Sequence, residues 1–280
     1  MDVLLEKNVN KQIQEFIGNT SYLFTGVICK EWKYSITNTS FSNVTTSISR
    51  LEEFIISGGI VNKKLFTEAL KNDNIEVTKK IFDIENFIKP WDFDMAIIPV
   101  KNGNLELLMF LKKNGCPWSR HICSEAASNG HLHILRWARS EDCPWDSKTC
   151  TNAAENGHLE VLKWLRSEGC PWYEWVCSST ASNGHLEVLK WLHSEGCSWD
   201  EDTCSFAASS GHLEVLKWLH SEGCPWDEDT CSFAGYGGHL EVLKWARSNG
   251  CPWDENTCSN AAYNGHLEVL KWLKDNGCPE

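Results

Sequence analysis

The chain has 280 residues with ordinary apolar, aromatic and charged fractions, so it can bury a sizeable core and is not predicted to be disordered. Its net charge is −12, and because residues 1–90 contain as many basic as acidic side chains, the deficit lies in residues 91–280. That acidic balance argues against nucleic acid as a partner, and no apolar run or signal-peptide pattern indicates a membrane.

The first 50 residues carry an apolar pattern that differs from the rest of the chain. Residues 13–18, Leu23, Phe24 and the run from Val27 to Trp32 resemble an F-box, whose end typically reads Val-Cys-Lys-x-Trp. The resemblance implies docking to the adaptor of a cullin-type ubiquitin ligase through Leu23, Phe24, Val27 and Trp32. The leading Leu-Pro of that motif is absent. The alternative is a short helical cap over the elements that follow.

A linker is expected at residues 51–63, and residues 64–280 are organised by an internal repeat. The string Gly-His-Leu-Glu-Val-Leu-Lys-Trp returns every 27 residues (184 − 157 = 27). It begins at Gly157, Gly184, Gly211, Gly238 and Gly265, with variants at Gly130 and Gly103. Residues 72–77 indicate a degenerate first unit. The array predicts a solenoid of about seven full or partial repeats after that first unit.

Each repeat is predicted to contain two short helices. In the unit that begins at Cys224, Asp227 is a suitable N-cap, and acidic residues fill the first turn that follows. The first helix should break at Gly237 and Gly238. The second, at about residues 239–248, should end at a left-handed Gly250.

The second helix is predicted to be covered on most of its sides. In residues 158–165 the polar side chains of Glu160 and Lys163 share one narrow stripe, and the other positions after His158 are apolar. Stacking of repeats would supply that cover, so no unit is expected to be stable alone.

Residues 153–169 resemble the ankyrin repeat family, whose unit reads Ala-Ala, two variable residues, Gly-His-Leu-Glu, an apolar helix and Gly-Ala. The family unit has 33 residues, and the six missing here fall where ankyrins form a β-hairpin finger. The resemblance implies an all-α solenoid with fingers shortened to turns and a small helical N-terminal segment. Such units are similar to proteins of giant DNA viruses and heterokont algae. We therefore expect an intracellular protein, in the cytoplasm or nucleus, of a host cell if viral.

The 14 cysteines suggest a zinc-binding repeat as an alternative. Within a unit the spacing is Cys-x6-Cys-x7-His, as in Cys170, Cys177 and His185, which matches no compact zinc pair. Equivalent residues of neighbouring repeats should lie roughly 8–10 Å apart, too far to share a metal. Buried, reduced cysteines are therefore favoured, with no metal or cofactor. The repeated histidines are expected to bond backbone groups between repeats.

No catalytic arrangement is predicted, because the repeated Glu, His and Cys columns reflect copying of the unit. Neither a Gly-rich phosphate loop nor a nucleophile elbow occurs. The implied function is that of a protein-binding scaffold, and the chain is not expected to be an enzyme.

The columns that vary between repeats mark the expected partner surface, on the face of the first, shorter helices. Its aromatic candidates are Tyr173, Trp175, Phe206, Phe233, Tyr236 and Tyr263, and its acidic candidates are Glu201, Asp202, Glu228 and Asp229. The acids favour a basic partner. Packing of Phe206 and Phe233 inside the stack is the alternative for those two residues.

Self-association is a further hypothesis. The last repeat has no polar capping unit after it, so Leu270, Trp272 and Leu273 are expected to be exposed.

Overall fold

The structure is a computed structural model that describes residues 41–56, 59, 61–84, 91 and 95–279. The F-box-like residues Leu23, Phe24, Val27 and Trp32 therefore lie outside the described residues. The chain divides into two compact units, and the boundary between them lies between Ser119 and Arg120.

The first unit consists of helices arranged in pairs. They are α1 (Phe41–Val44), α2 (Ile48–Ile56), α3 (Lys63–Lys71), α4 (Ile75–Phe82), α5 (Ile97–Asn102) and α6 (Leu105–Lys113). Helix α1 packs on α3, α2 on α4, and α3 on α5. The segment expected as a linker, 51–63, includes most of α2, whose Leu51 and Phe54 are buried. This segment therefore contributes a packed helix, and the residues expected to form a degenerate first unit lie in α3 and α4.

The second unit contains six helix pairs with the predicted period. They are α7 (His121–Ser128), α8 (Leu132–Ser140), α9 (Ser147–Glu155), α10 (Leu159–Ser167), α11 (Val176–Ser182), α12 (Leu186–Ser194), α13 (Glu201–Ser209), α14 (Leu213–Ser221), α15 (Glu228–Gly237), α16 (Leu240–Ser248), α17 (Glu255–Tyr263) and α18 (Leu267–Asp275). The first helices of successive pairs lie side by side, and each second helix packs on its own first helix. The part of the chain that the structure describes has helices joined by turns and no strand, which confirms the all-α prediction.

The helix ends follow the predicted chemistry. The Asp229 N–H donates to Asp227 Oδ1 at 3.1 Å, so Asp227 caps α15 as expected. Asp254 caps α17 in the same way and exchanges hydrogen bonds with Thr257, which forms a capping box. Gly250 has a φ of 87° and ends the turn after α16 in the left-handed conformation predicted for it.

The second helices bury one apolar face and expose the predicted polar stripe. In α12, Val188, Leu189 and Leu192 are buried, and Lys190 pairs with Glu187 at 2.7 Å on the exposed side. Each fully buried Leu contributes about 1.5–3 kcal/mol relative to an exposed one. The apolar face therefore supplies the stability of the repeat, and the exposed ion pair adds little.

Histidines connect neighbouring repeats, as the sequence predicted. His158 Nε2 lies 3.0 Å from the Ser128 carbonyl oxygen, and His266 Nε2 lies 2.9 Å from that of Tyr236. The rings pack over the glycine of the preceding repeat, and a Cβ added at Gly184 would lie 2.6 Å from the ring of His212. The glycine of the repeated string is therefore required for close packing between repeats.

The Pro-Trp tryptophans are half-buried, as predicted for turn packing. Trp172 meets Trp191 of α12 edge to face at 6.1 Å, and Arg166 lies over the ring of Trp172 at 4.2 Å. Trp199 repeats the edge contact with Trp218 and stacks on His193. These contacts fill the space around the turns between successive helix pairs.

Among the described residues, no helix is both long enough and apolar enough to cross a membrane.

Candidate functional site

The first helices α9, α11, α13, α15 and α17 present a common outer stripe, here named the variable face. Its positions are related as i, i+4 and i+7, which places them on one side of each helix. From the N-terminal to the C-terminal position they are Lys148, Asn152 and Glu155; Trp175, Ser179 and Ser182; Asp202, Phe206 and Ser209; Asp229, Phe233 and Tyr236; and Asn256, Asn260 and Tyr263. All are exposed or partly exposed.

Two phenylalanines occupy the centre of the variable face. The rings of Phe206 and Phe233 meet edge to face at 6.2 Å, and Phe206 is 39% exposed. At the same position in the next repeat, Asn260 donates from Nδ2 to Ser232 Oγ at 2.8 Å. The phenylalanines therefore stand where a neighbouring repeat has a polar contact between repeats, and the alternative of packing inside the stack is wrong for Phe206.

Tyr173 and Trp175 form a second aromatic pair, just before α11. Their rings are stacked at 5.0 Å with an interplanar angle of 9°, and Trp175 is 51% exposed. Tyr173 stands where other repeats have the capping aspartate, and α11 begins without a side-chain cap. This repeat therefore lacks a stabilising cap and displays two exposed rings there.

Acidic side chains cluster at the N-terminal ends of α13 and α15. Glu201, Asp202, Glu228 and Asp229 are all exposed. Desolvation raises the pKa of Asp229, and the nearby charges of Asp227, Glu228, Asp254 and Asp202 raise it further. Because these carboxylates lie near one another, the local field is negative and attracts cations.

Tyr236 and Tyr263 lie at the C-terminal ends of α15 and α17, so the predicted aromatic set is spread along the helices. Tyr236 is 49% exposed and Tyr263 is 88% exposed. The structure brings together Phe206 with Phe233 and Tyr173 with Trp175. Sequence reasoning missed Lys148 and Asn256, although the 27-residue step places them in the column of Asp202 and Asp229.

The apolar side chains of the last repeat differ from the expectation. Leu273 is fully buried, so its predicted exposure is wrong, and Leu270 and Trp272 are half-buried. The exposed apolar residue of this repeat is Leu267, at 75%. Tyr263, at 88%, is the other large side chain with apolar surface that this repeat exposes.

The cysteines of the described repeats are buried, as predicted from their small apolar character. In the described part of the chain no three His, Cys, Asp or Glu side chains are grouped so that they could hold a metal ion. The structure nevertheless pairs cysteines in a way that the sequence spacing did not indicate, because Cys177 Sγ lies 2.7 Å from Cys197 Sγ.

Comparison with known proteins agrees with this architecture. Residues 231–273 match the family model for ankyrin repeats in many copies. No curated protein sequence matches the chain. The crystal structure of the human ASB11 ankyrin repeat domain superposes with a TM-score of 0.52 at 15% identity, over 66% of this chain and 98% of that one. The helix pairs described above therefore have the ankyrin-repeat fold.

Proposed function

We propose that the chain is a protein-binding scaffold and that the variable face holds a partner segment carrying basic side chains. The supporting observation is the contact between the exposed Phe206 and the half-buried Phe233, flanked at the N-terminal ends of their helices by Asp202 and Asp229. Exposed aromatic rings beside charges are typical of the anchors of protein interfaces. The ankyrin-repeat fold supports the same function, since ankyrin repeats form protein-interaction domains.

Electrostatics supports the basic character of the partner. Desolvation raises the pKa of Asp229, and the neighbouring carboxylates raise it further; a Lys or Arg side chain would relieve that second contribution. Binding should therefore weaken as the salt concentration rises, because these groups are exposed and screened. Trp175 occupies the same column as Asp202 and Asp229, so aromatic and acidic contacts follow one another along successive helices.

A displayed library of random peptides tests this proposal. The full chain should select peptides that combine Lys or Arg with apolar residues. The double variant Phe206→Ser and Phe233→Ser should lose at least tenfold in affinity for a selected peptide, measured by calorimetry at two salt concentrations. Serine is compatible with this column, because Ser179 occupies it in α11.

The matched control is Glu214→Gln on α14, where Glu214 pairs with Lys217 at the exposed side of a second helix. It removes an acid away from the variable face and should leave affinity unchanged. Selection of acidic peptides, or equal loss of affinity in the control, would contradict the proposal.

A role as substrate receptor of a ubiquitin ligase is the second candidate, and it rests on the F-box-like sequence from Val27 to Trp32. We expect the purified full chain to bind a ligase adaptor and the variant Trp32→Ala to lose that binding while keeping the selected peptide. Equal adaptor binding by both chains would exclude a role for this motif.

A further inference from the structure

Twelve of the cysteines form six pairs, each within one repeat of the second unit. The first member lies in the first helix, and the second follows the turn after the second helix, 20 residues later. The pairs are Cys123 with Cys143, Cys150 with Cys170, Cys177 with Cys197, Cys204 with Cys224, Cys231 with Cys251, and Cys258 with Cys278. Cys177 Sγ contacts the sulfur of its partner, and Cys123 Sγ and Cys150 Sγ donate to the carbonyl oxygen of theirs. The partner thiol and burial raise the pKa of one member of every pair.

The pair in the middle of the unit shows how close the sulfur atoms are. Cys177 Sγ and Cys197 Sγ are 2.7 Å apart, whereas a disulfide bond measures about 2.03–2.05 Å. Regular structure fixes both backbones. Cys177 lies inside α11, and the Cys197 N–H donates to the Leu192 carbonyl at 3.0 Å. A bond between the two sulfur atoms therefore needs a small movement of side chains and no rearrangement of helices.

Packing alone does not require a cysteine at the first position of the pair. Ala96 stands 27 residues before Cys123, at the equivalent position of the preceding repeat, and it is buried at 2% exposure. Alanine therefore fits this column. The paired thiols are repeated in all six helix pairs of the second unit, at a site where an apolar methyl group is sufficient for the fold.

We propose that the six pairs are modification sites that a small organic disulfide, such as oxidised glutathione, converts into six disulfide bonds. The thiolate of the outer cysteine, which follows the second helix, attacks one sulfur of the oxidant and releases one small thiol. The inner cysteine then loses its proton and attacks the mixed disulfide, releasing the second small thiol. The two cysteines together lose two electrons and two protons, and the two small thiols that form gain them.

In the pair of Cys177 and Cys197, exposure and ionisation assign the attacking role to the outer cysteine, whereas burial raises the pKa of the outer Cys278. Cys197 is 6% exposed and Cys177 is 1% exposed, and the difference between Cys224 and Cys204 has the same direction. A hydrogen bond from Cys177 lowers the pKa of Cys197, while the bond to Cys197 and burial raise the pKa of Cys177. Because the thiolate is the nucleophile, the pairs that include Cys197 and Cys224 should react before those whose outer cysteine is fully buried.

The experiment treats the reduced full chain with oxidised glutathione, blocks remaining thiols by alkylation, and maps the bridges by peptide mass spectrometry. Each bridge lowers the intact mass before alkylation by about 2 Da, so six lower it by about 12 Da. A second sample is unfolded and refolded in a glutathione redox buffer, which gives the reagent access to every thiol. Soluble refolded chain that keeps all its thiols, or bridges that join cysteines other than those 20 residues apart, would overturn the proposal.

Two single variants distinguish a paired site from scattered reactive thiols. In Cys177→Ala the outer Cys197 has no resolving thiol and should accumulate one glutathione, a gain of about 305 Da. In Cys197→Ala the inner Cys177 should remain a thiol. Under reducing conditions Cys177→Ala should unfold at a temperature near that of the parent, since alanine occurs in its column at Ala96. Equal modification of the two variants would contradict the outer-then-inner order.

Discussion

The two helices of each repeat in the second unit differ in how much their sequences vary from one repeat to the next. The second helices from α8 to α16 are close copies, and each of them buries the same three apolar positions, such as Val188, Leu189 and Leu192 in α12. The first helices keep a buried side but change their outer stripe from one repeat to the next, with Phe206 and Phe233 at its centre. Copying thus largely preserves the surfaces that pack repeats together, and the outward stripe of the first helices changes in character between repeats.

The largest effect should come from the copied helix. Leu189→Ala removes a fully buried side chain and should lower the free energy of unfolding by about 2–5 kcal/mol. Leu267→Ala, at a position that is 75% exposed, should cost far less. Urea denaturation of both variants measures the contrast. Similar losses would show that burial does not distinguish these two leucines.

Two glycine substitutions distinguish the effect on stability of packing between repeats from that of backbone strain. Gly184 and Gly223 have φ of 78° and 80°, so alanine at either position carries a left-handed cost of about 1–2 kcal/mol. Only at Gly184 would the new Cβ meet a neighbour, the ring of His212 at 2.6 Å. Gly184→Ala should therefore be the more destabilising variant in thermal unfolding, and equal losses would mean that the ring moves away freely.

Restoring the missing cap of α11 should raise the stability of the chain and weaken its binding of the peptide. Tyr173→Asp places a carboxylate at the capping position and should stabilise the chain by about 0.5–2 kcal/mol, while it removes a ring that stacks on Trp175. Peptide affinity should fall. The converse variant, Asp254→Ala, should lose a similar amount of stability and leave that aromatic pair intact. A stabilised Tyr173→Asp chain with full affinity would exclude Tyr173 from the site.

The smallest expected change in stability comes from the acidic residues at the N-terminal ends of α13 and α15. The folded-state pKa of Asp229 is raised, so the folded chain holds this proton more tightly than the unfolded chain. The resulting loss of stability is absent at pH values below the ordinary carboxyl pKa. It develops as the pH rises through the raised pKa of Asp229. Asp229→Asn should therefore be slightly more stable than the parent at pH 7, and the gain should vanish at pH 3. Denaturation midpoints at both pH values test this sign.

The sequence predicted the helix pairs because each signal is local. Asp227 caps its own helix, Gly250 adopts the left-handed turn, and the stripe of Glu160 and Lys163 follows from helical periodicity. The positions of the candidate site residues on the first helices follow from the same period. Exposure was not predictable in the same way, because it depends on the neighbouring helix. Phe206 could have packed inward, and Leu273 was expected outside but is buried.

The sequence by itself determined the repeat, its two helices, their caps and the columns that vary, since these depend on spacing along one chain. Tertiary structure decided which side chains meet. Cys177 and Cys197 are 20 residues apart and approach to 2.7 Å because the helix pair folds back on itself. Phe206 meets Phe233 because α13 and α15 lie side by side. Periodicity assigns a residue to a face of its helix, but only packing selects the partner on that face.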